Sequence, residues 1–147
     1  MKRILNFDMD GTLADLYGVP DWLPQLESMS TKPYEIAKPC GNLSHLARLL
    51  NKAKKEGFKI NIISWGSKNA DEDYLNRIRV AKIEWLRRHL KSVKFDKIEV
   101  VSYGTSKKTI AEGILFDDDE KVRSDWGEDS IDATDFSNII DFLKKII

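Results

Sequence analysis

The chain of 147 residues has few of the features that are typical of membrane proteins, disulfide-stabilised proteins and nucleic-acid-binding proteins. It has one cysteine, Cys40, which excludes an internal disulfide and favours a reducing compartment. Lysine plus arginine and aspartate plus glutamate both number 24, so no net field attracts nucleic acid or anionic lipid. No apolar run approaches the ~20 residues of a membrane span. Asp8 and Asp10 interrupt the first apolar run of the chain, so it does not resemble the apolar core of a signal peptide. We expect a cytoplasmic protein with no membrane partner and no dedicated nucleic-acid surface.

Short apolar runs alternate with longer amphipathic segments, a pattern typical of α/β folds. The length suits one domain, 1–147, with a Rossmann-like parallel sheet of about five strands and helices on both faces. The predicted strands are 3–7, 59–63, 98–101, 114–116 and 130–133, and the predicted helices are 43–56, 72–91 and 136–146.

Segment 13–40 differs from the rest because it contains every proline of the chain and several aromatic residues. The prolines are Pro20, Pro24, Pro33 and Pro39, and the aromatic residues are Tyr17, Trp22 and Tyr34. Proline restricts helices, and long connections in compact domains are usually functional or disordered. Since the aromatic content argues against disorder, we expect a structured insertion with short helices at most, forming a small lid over the strand ends.

The first predicted strand ends in the run Asp8-Met9-Asp10-Gly11-Thr12. Ligands of parallel α/β sheets bind at the carboxyl ends of the strands, where this run would place two carboxylates. Such a pair can hold a hard cation and present one oxygen as a nucleophile. A purely structural turn would need Gly11 but neither aspartate.

Polar residues also follow the next three predicted strands. Ser64 could bind a phosphoryl oxygen, although a serine at this place is often only a cap. Lys107 or Lys108 could neutralise negative charge, although a lysine pair alone is typical of a solvated surface. The run Asp117-Asp118-Asp119 needs a cation or strong solvation, because adjacent carboxylates repel one another. The order of these residues is more specific than any one of them.

This order resembles that of the haloacid dehalogenase-like (HAD) phosphatases. The opening Asp8-Met9-Asp10-Gly11, with Leu13-Ala14-Asp15, is similar to that of their 5′(3′)-deoxyribonucleotidase branch. The segment 82–90, with Lys82, Trp85 and Leu90, is similar to a K-x-x-W helix of the same branch. Lys107 precedes Asp117 by the spacing of that branch, so we prefer Lys107 over Lys108.

The resemblance implies a phosphomonoester hydrolase that acts through an aspartyl-phosphate. Asp8 would be the nucleophile and Asp10 the general acid and base. The residues implied for Mg²⁺ are Asp8, Asp10, Asp117 and Asp118, and those implied for the phosphate are Gly11, Thr12, Ser64 and Lys107. The implied partner is a small phosphorylated substrate, with a nucleoside monophosphate favoured.

The insertion is shorter than the helical cap of the nucleotidase branch, which leaves the substrate open. Four aromatic residues could line the pocket or simply pack the insertion onto the core: Tyr17, Trp22, Tyr34 and Trp65. A sugar phosphate, a phosphoprotein or a polynucleotide end is an alternative substrate, and a second subunit of a homo-oligomer could complete the pocket. A non-catalytic HAD-fold binding module is a further alternative, although the presence of Asp10 favours an enzyme.

Overall fold

The computed structural model describes residues 2–147 and contains a five-stranded parallel sheet flanked by helices. In chain order the elements are β1 Ile4–Phe7, β2 Ala14–Asp15, α1 Trp22–Glu27, α2 Lys32–Ile36, β3 Lys38–Pro39, α3 Leu43–Lys55, β4 Lys59–Trp65, α4 Glu72–His89, β5 Lys97–Val101, β6 Ile114–Asp117, α5 Glu120–Trp126, β7 Ser130–Asp132 and α6 Phe136–Ile146. The strand order is β5-β4-β1-β6-β7, and each pairing is parallel. The predicted α/β class with about five parallel strands is confirmed.

The order of the strands reverses between β1 and β6. The connections from β1 to β4 and from β4 to β5 run towards one edge, whereas the connection from β6 to β7 runs towards the other. Because such crossovers are right-handed, α3 and α4 cover one face of the sheet and α5 covers the opposite face. Ligands of open α/β sheets bind in the crevice at the carboxyl ends beside this reversal. Asp8, directly after β1, and Asp117, the last residue of β6, lie at the carboxyl ends of these two strands.

The main core lies between the sheet and the helices α3 and α6. Phe7 of β1 stacks on Phe116 of β6 with ring centroids 4.5 Å apart, and both side chains are fully buried. Leu46 and Leu50 of α3 and Leu143 of α6 belong to the same cluster. Burial of each large apolar side chain contributes roughly 1.5–3 kcal/mol to folding, so this packing holds the strand ends in place.

The insertion consists of α1, α2 and a two-stranded antiparallel ladder of β2 and β3. Side chains of α4 fix it by donating hydrogen bonds to its backbone carbonyls. These bonds join Tyr74 Oη to Ser30 O (2.7 Å), Arg77 Nη1 to Met29 O (3.1 Å), Trp85 Nε1 to Ala37 O (2.8 Å) and Arg88 Nη2 to Glu35 O (2.6 Å). The part of the insertion from Met29 to Ala37 therefore packs along most of α4, from Tyr74 to Arg88.

The structure differs from the predicted elements in two places near the strand ends. Helix α5 is absent from the prediction, because its seven residues are mostly polar and have no apolar repeat. Strand β4 continues through Trp65, so Ser64 and Trp65 belong to the strand and point to opposite faces of the sheet. Within residues 2–147, no helix combines the length and the apolar character needed to cross a membrane.

Candidate active site

The turn after β1 brings Asp8, Gly11 and Thr12 close to Asp118. The Thr12 hydroxyl lies 3.2 Å from Asp8 Oδ2 and 3.3 Å from Asp118 Oδ1, so it can donate to either carboxylate. Gly11 has a φ of 81°, and a Cβ atom there would lie only 2.2 Å from Asp118 Oδ2. Glycine is therefore required both by the backbone conformation and by the close approach of the second carboxylate.

Lys107 joins the ends of β1 and β6. Its ammonium group donates to Asp8 Oδ1 at 2.9 Å and to Asp117 Oδ2 at 2.7 Å, and the residue is only 3% exposed. Burial alone would lower the pKa of Lys107, but the two carboxylates outweigh it and raise the pKa above its ordinary value. Lys108, by contrast, is exposed, and its amino group lies 3.5 Å from Asp125. Of the two candidate lysines, the structure places Lys107 in the site.

Three of the four residues predicted to hold Mg²⁺ converge at this point. One carboxylate oxygen from each of Asp8, Asp117 and Asp118 lies within 4.8 Å of the others. Burial, followed by the charge of Asp8, raises the pKa of Asp117 to about 6 and that of Asp118 to about 8. A cluster that holds protons so strongly has more negative charge than its surroundings neutralise. Oxygen ligands of this kind fit Mg²⁺.

Asp10 contacts a lysine that the sequence analysis did not assign to the site. Lys82 of α4 is 1% exposed and donates to Asp10 Oδ2 (3.0 Å), Ser64 Oγ (2.6 Å) and the Trp65 carbonyl (2.7 Å). Burial raises the pKa of Asp10, while the positive charge of Lys82 opposes that rise. The burial of Lys82 could have been predicted from the sequence, since Lys82 is four residues after Ile78 and three before Trp85, on the buried face of α4.

The predicted phosphate-binding residues fall into two groups. Lys107 lines the cavity at the strand ends, whereas Gly11, Thr12 and Ser64 do not line it, and the last two are fully buried. The Ser64 hydroxyl oxygen accepts from Lys82, and Ser64 does not line the cavity. Gly66 and Ser67, directly after β4, line the cavity instead.

The cavity has a volume of about 400 Å³, and aromatic side chains form two of its walls. Tyr17 and Trp22 of the insertion meet edge to face with centroids 5.0 Å apart. Trp65 and Tyr103 form a second aromatic pair with centroids 4.9 Å apart, and Trp65 Nε1 donates to the Thr105 carbonyl at 2.8 Å. All four predicted aromatic residues line the cavity, and Tyr103 is a fifth that the sequence analysis missed.

Tyr34 is the most buried of the cavity aromatics. It is 4% exposed, and its hydroxyl lies 2.6 Å from Ser67 Oγ. The amino group of Lys82 lies over its ring, 4.8 Å from the centroid. Tyr34 therefore connects the insertion to the loop after β4 and covers the lysine that binds Asp10.

No family model and no curated protein matches the chain. Among solved structures, the chain is similar to the D,D-heptose 1,7-bisphosphate phosphatase of Burkholderia thailandensis, with 14% sequence identity and a TM-score of 0.47. The similarity covers 82% of this chain and 68% of that one. A functional assignment therefore depends on the residues of the site itself.

Proposed function

We propose that this protein is a Mg²⁺-dependent phosphomonoester hydrolase of the HAD type, with a nucleoside monophosphate as its favoured substrate. The observation that carries the proposal is the buried arrangement of Asp8, Lys107 and Asp117 at the reversal of strand order. A nucleophilic carboxylate, a lysine that neutralises it and a second carboxylate for a cation are held there within hydrogen-bond distance.

The charges of the site favour a cation together with an anionic substrate. Four carboxylates, those of Asp8, Asp10, Asp117 and Asp118, face the ammonium groups of Lys82 and Lys107. Two negative charges remain when all of these groups are ionised, and a phosphate ester would add more. Asp8, Asp117, Asp118 and the backbone carbonyl of Asp10 would hold Mg²⁺, which supplies charge neutralisation and orients the phosphate when bound.

Asp8 and Asp10 divide the proposed chemistry between them. A carboxylate oxygen of Asp8 attacks phosphorus, the bond from phosphorus to the ester oxygen breaks, and Asp10 gives that oxygen a proton. Asp10 then takes a proton from the water that attacks the aspartyl-phosphate, which releases phosphate and restores Asp8. Burial raises the pKa of Asp10 and favours the protonated acid of the first step, while Lys82 favours the ionised base of the second.

The two aromatic walls support a nucleotide as substrate. Stacking of a base on an aromatic ring contributes roughly 1–3 kcal/mol, and the Tyr17–Trp22 and Trp65–Tyr103 pairs both face the cavity. The cavity volume of about 400 Å³ lies within the usual range for small-molecule sites. A sugar phosphate is the second candidate, because Glu27, Lys68 and Asn69 also line the cavity and can bind hydroxyl groups.

The test is the release of phosphate from nucleoside monophosphates, ribose 5-phosphate and an aryl phosphate, each with Mg²⁺ and with a chelator. We expect Mg²⁺-dependent turnover, with kcat/KM about tenfold or more higher for the nucleotides than for ribose 5-phosphate. Asp8→Asn should abolish turnover of every substrate while circular dichroism shows an unchanged fold.

The outcomes separate the parts of the proposal. Activity that survives chelation contradicts the role of the metal, and substantial activity of Asp8→Asn contradicts the covalent mechanism. Equal kcat/KM for nucleotides and ribose 5-phosphate rejects the nucleotidase and leaves a phosphatase of other substrates. Binding of phosphate esters without any turnover would identify a binding module.

A further inference from the structure

A second cavity lies at the opposite ends of the strands from the candidate active site. Its volume is about 560 Å³, and it shares no lining residue with the first cavity. Ile4, Lys59 and Lys97, the first residues of β1, β4 and β5, all line it. The cavity is therefore at the amino ends of three neighbouring strands, and its remaining wall is the segment 108–112.

Asn61 is a buried polar residue that lines this cavity. It is 5% exposed, and its amide is oriented by a chain of hydrogen bonds. Asn6 Nδ2 donates to the carbonyls of Glu112 (2.9 Å) and Ile114 (3.1 Å), so Asn6 Oδ1 is left to accept from Asn61 Nδ2 at 2.9 Å. Asn61 Oδ1 then has no hydrogen-bond donor within residues 2–147. Because an unpaired buried acceptor destabilises a protein, a donor from a ligand would be favoured here.

The charges around Asn61 are mainly positive. Lys97 is the register partner of Asn61 on β5, and Lys59 lies two residues before Asn61, so all three side chains share one face of the sheet. The two acidic lining residues already have partners: Asp96 binds Lys54 at 2.9 Å, and Glu112 binds Lys2. In the part of the chain that the structure describes, Lys59 and Lys97 have no carboxylate partner.

We propose that this cavity binds a small phosphate-type dianion that also carries a hydroxyl group. Lys59 and Lys97 would bind the anionic oxygens, and the hydroxyl group would donate to Asn61 Oδ1. This site is separate from the proposed catalytic reaction and does not depend on it.

The test is a titration of the ¹⁵N-labelled protein with three probes, followed by amide chemical shifts. 2-Hydroxyethylphosphonate carries both features, ethylphosphonate lacks the hydroxyl group, and ethylene glycol lacks the charge. The carbon–phosphorus bond is not an ester, so a phosphatase does not consume either phosphonate. We expect saturable shifts at Asn61, Lys97 and 109–112 with 2-hydroxyethylphosphonate, at least about fivefold weaker binding of ethylphosphonate, and no saturation with ethylene glycol.

A pair of charge-matched double variants provides the control. Lys59→Ala/Lys97→Ala should weaken binding at least about fivefold, whereas Lys91→Ala/Lys94→Ala, which removes two exposed lysines outside the cavity, should leave it unchanged. Equal weakening in both variants would show attraction by net charge alone and overturn the proposal. Shifts confined to the active-site residues, or equal affinities for the two phosphonates, would overturn it as well. None of these readouts uses turnover, so failure here is distinct from failure of the proposed phosphatase.

Discussion

The candidate site depends on two buried lysines, Lys107 between two carboxylates and Lys82 beside one. Lys107 and Lys82 are 3% and 1% exposed, and each contacts at least one carboxylate. Removing one partner of a buried ion pair leaves an uncompensated charge, which is far more costly than losing an exposed pair. The individual residues therefore offer the sharpest tests of the site.

Replacement of Lys107 and of Lys108 by alanine should have very different effects. Lys107→Ala removes the ammonium group between Asp8 and Asp117, so kcat should fall about 10²-fold or more, as for other groups that neutralise developing charge. Lys108→Ala should change kcat little, because its amino group is exposed and faces Asp125. Steady-state kinetics on an aryl phosphate decides between them, and a larger loss in Lys108→Ala would contradict the assignment.

Lys82→Met should change the pH dependence of catalysis as well as its rate. Methionine keeps the apolar stem but loses the charge that opposes the raised pKa of Asp10, so that pKa should rise further. Asp10 must be ionised to accept a proton from water, so the pH optimum of kcat should move upwards. Lys91→Met, on an exposed lysine, is the matched control. A lower rate with an unchanged pH profile would mean that Lys82 has only a structural role.

At the scale of elements, α4 connects the parts of the site. Its residue Lys82 donates a hydrogen bond to Asp10. Four other side chains of α4 bind the insertion: Tyr74, Arg77, Trp85 and Arg88. The insertion thus forms a wall of the cavity that is packed on the core rather than attached only by its ends. A cavity wall held in this way should unfold together with the rest of the domain.

Tyr74→Phe tests this connection with the loss of a single hydroxyl group. The variant leaves the Ser30 carbonyl without its 2.7 Å partner, so the free energy of unfolding should fall by about 0.5–1.5 kcal/mol in one cooperative transition. Tyr103→Phe removes an exposed hydroxyl and should change stability by less than about 0.5 kcal/mol. Urea denaturation followed by fluorescence and by circular dichroism provides the measurement. An insertion that unfolds in a separate, earlier transition would contradict this account.

The sequence predicted the strands well, and it predicted that the aspartates after two of them lie close together, because an apolar run that ends in aspartate combines two strong local signals. Asp8 and Asp117 lie close together because the carboxyl ends of parallel strands lie on the same side of a sheet. The parallel arrangement follows from the α/β pattern of the sequence alone. Helix α5 was not predictable from periodicity, as it has one buried residue, Val122. The contacts of Lys82 could not be derived either, because its three partners lie in the turn after β1 and at the end of β4, and their proximity to Lys82 depends on how α4 packs. Tyr103 gave no signal beyond being a tyrosine after a strand.

For the whole molecule, the balance of charges hides a strong local imbalance. The formal net charge is zero, yet Asp8, Asp117 and Asp118 lie within one small volume. Their repulsion is relieved either by protons or by a cation, so proton binding and metal binding compete. Stability, pH and Mg²⁺ are therefore linked.

The last prediction is that Mg²⁺ stabilises the protein more at pH 8 than at pH 5.5. The pKa of Asp117 is raised to about 6 and that of Asp118 to about 8, above the value of about 3.9 for an unfolded aspartate. At pH values between the unfolded pKa of about 3.9 and the raised pKa of each group, the metal-free folded state holds a proton that the unfolded state has lost. The contribution of both groups to the free energy of unfolding therefore falls as pH rises. At pH 8 Asp117 is almost fully ionised and Asp118 is about half ionised, so fewer protons compete with Mg²⁺ than at pH 5.5, and the repelling carboxylates gain more from the metal.

Thermal unfolding with and without Mg²⁺, at constant ionic strength, should therefore show a larger increase in Tm at pH 8 than at pH 5.5. Asp118→Asn provides the control, because the amide cannot titrate and removes one of the three clustered carboxylates. In this variant the metal-free protein should lose less stability between pH 5.5 and pH 8, and the pH dependence of the Mg²⁺ effect should be smaller. An increase in Tm that is the same at both pH values, or larger at pH 5.5, would show that these carboxylates do not form the metal site.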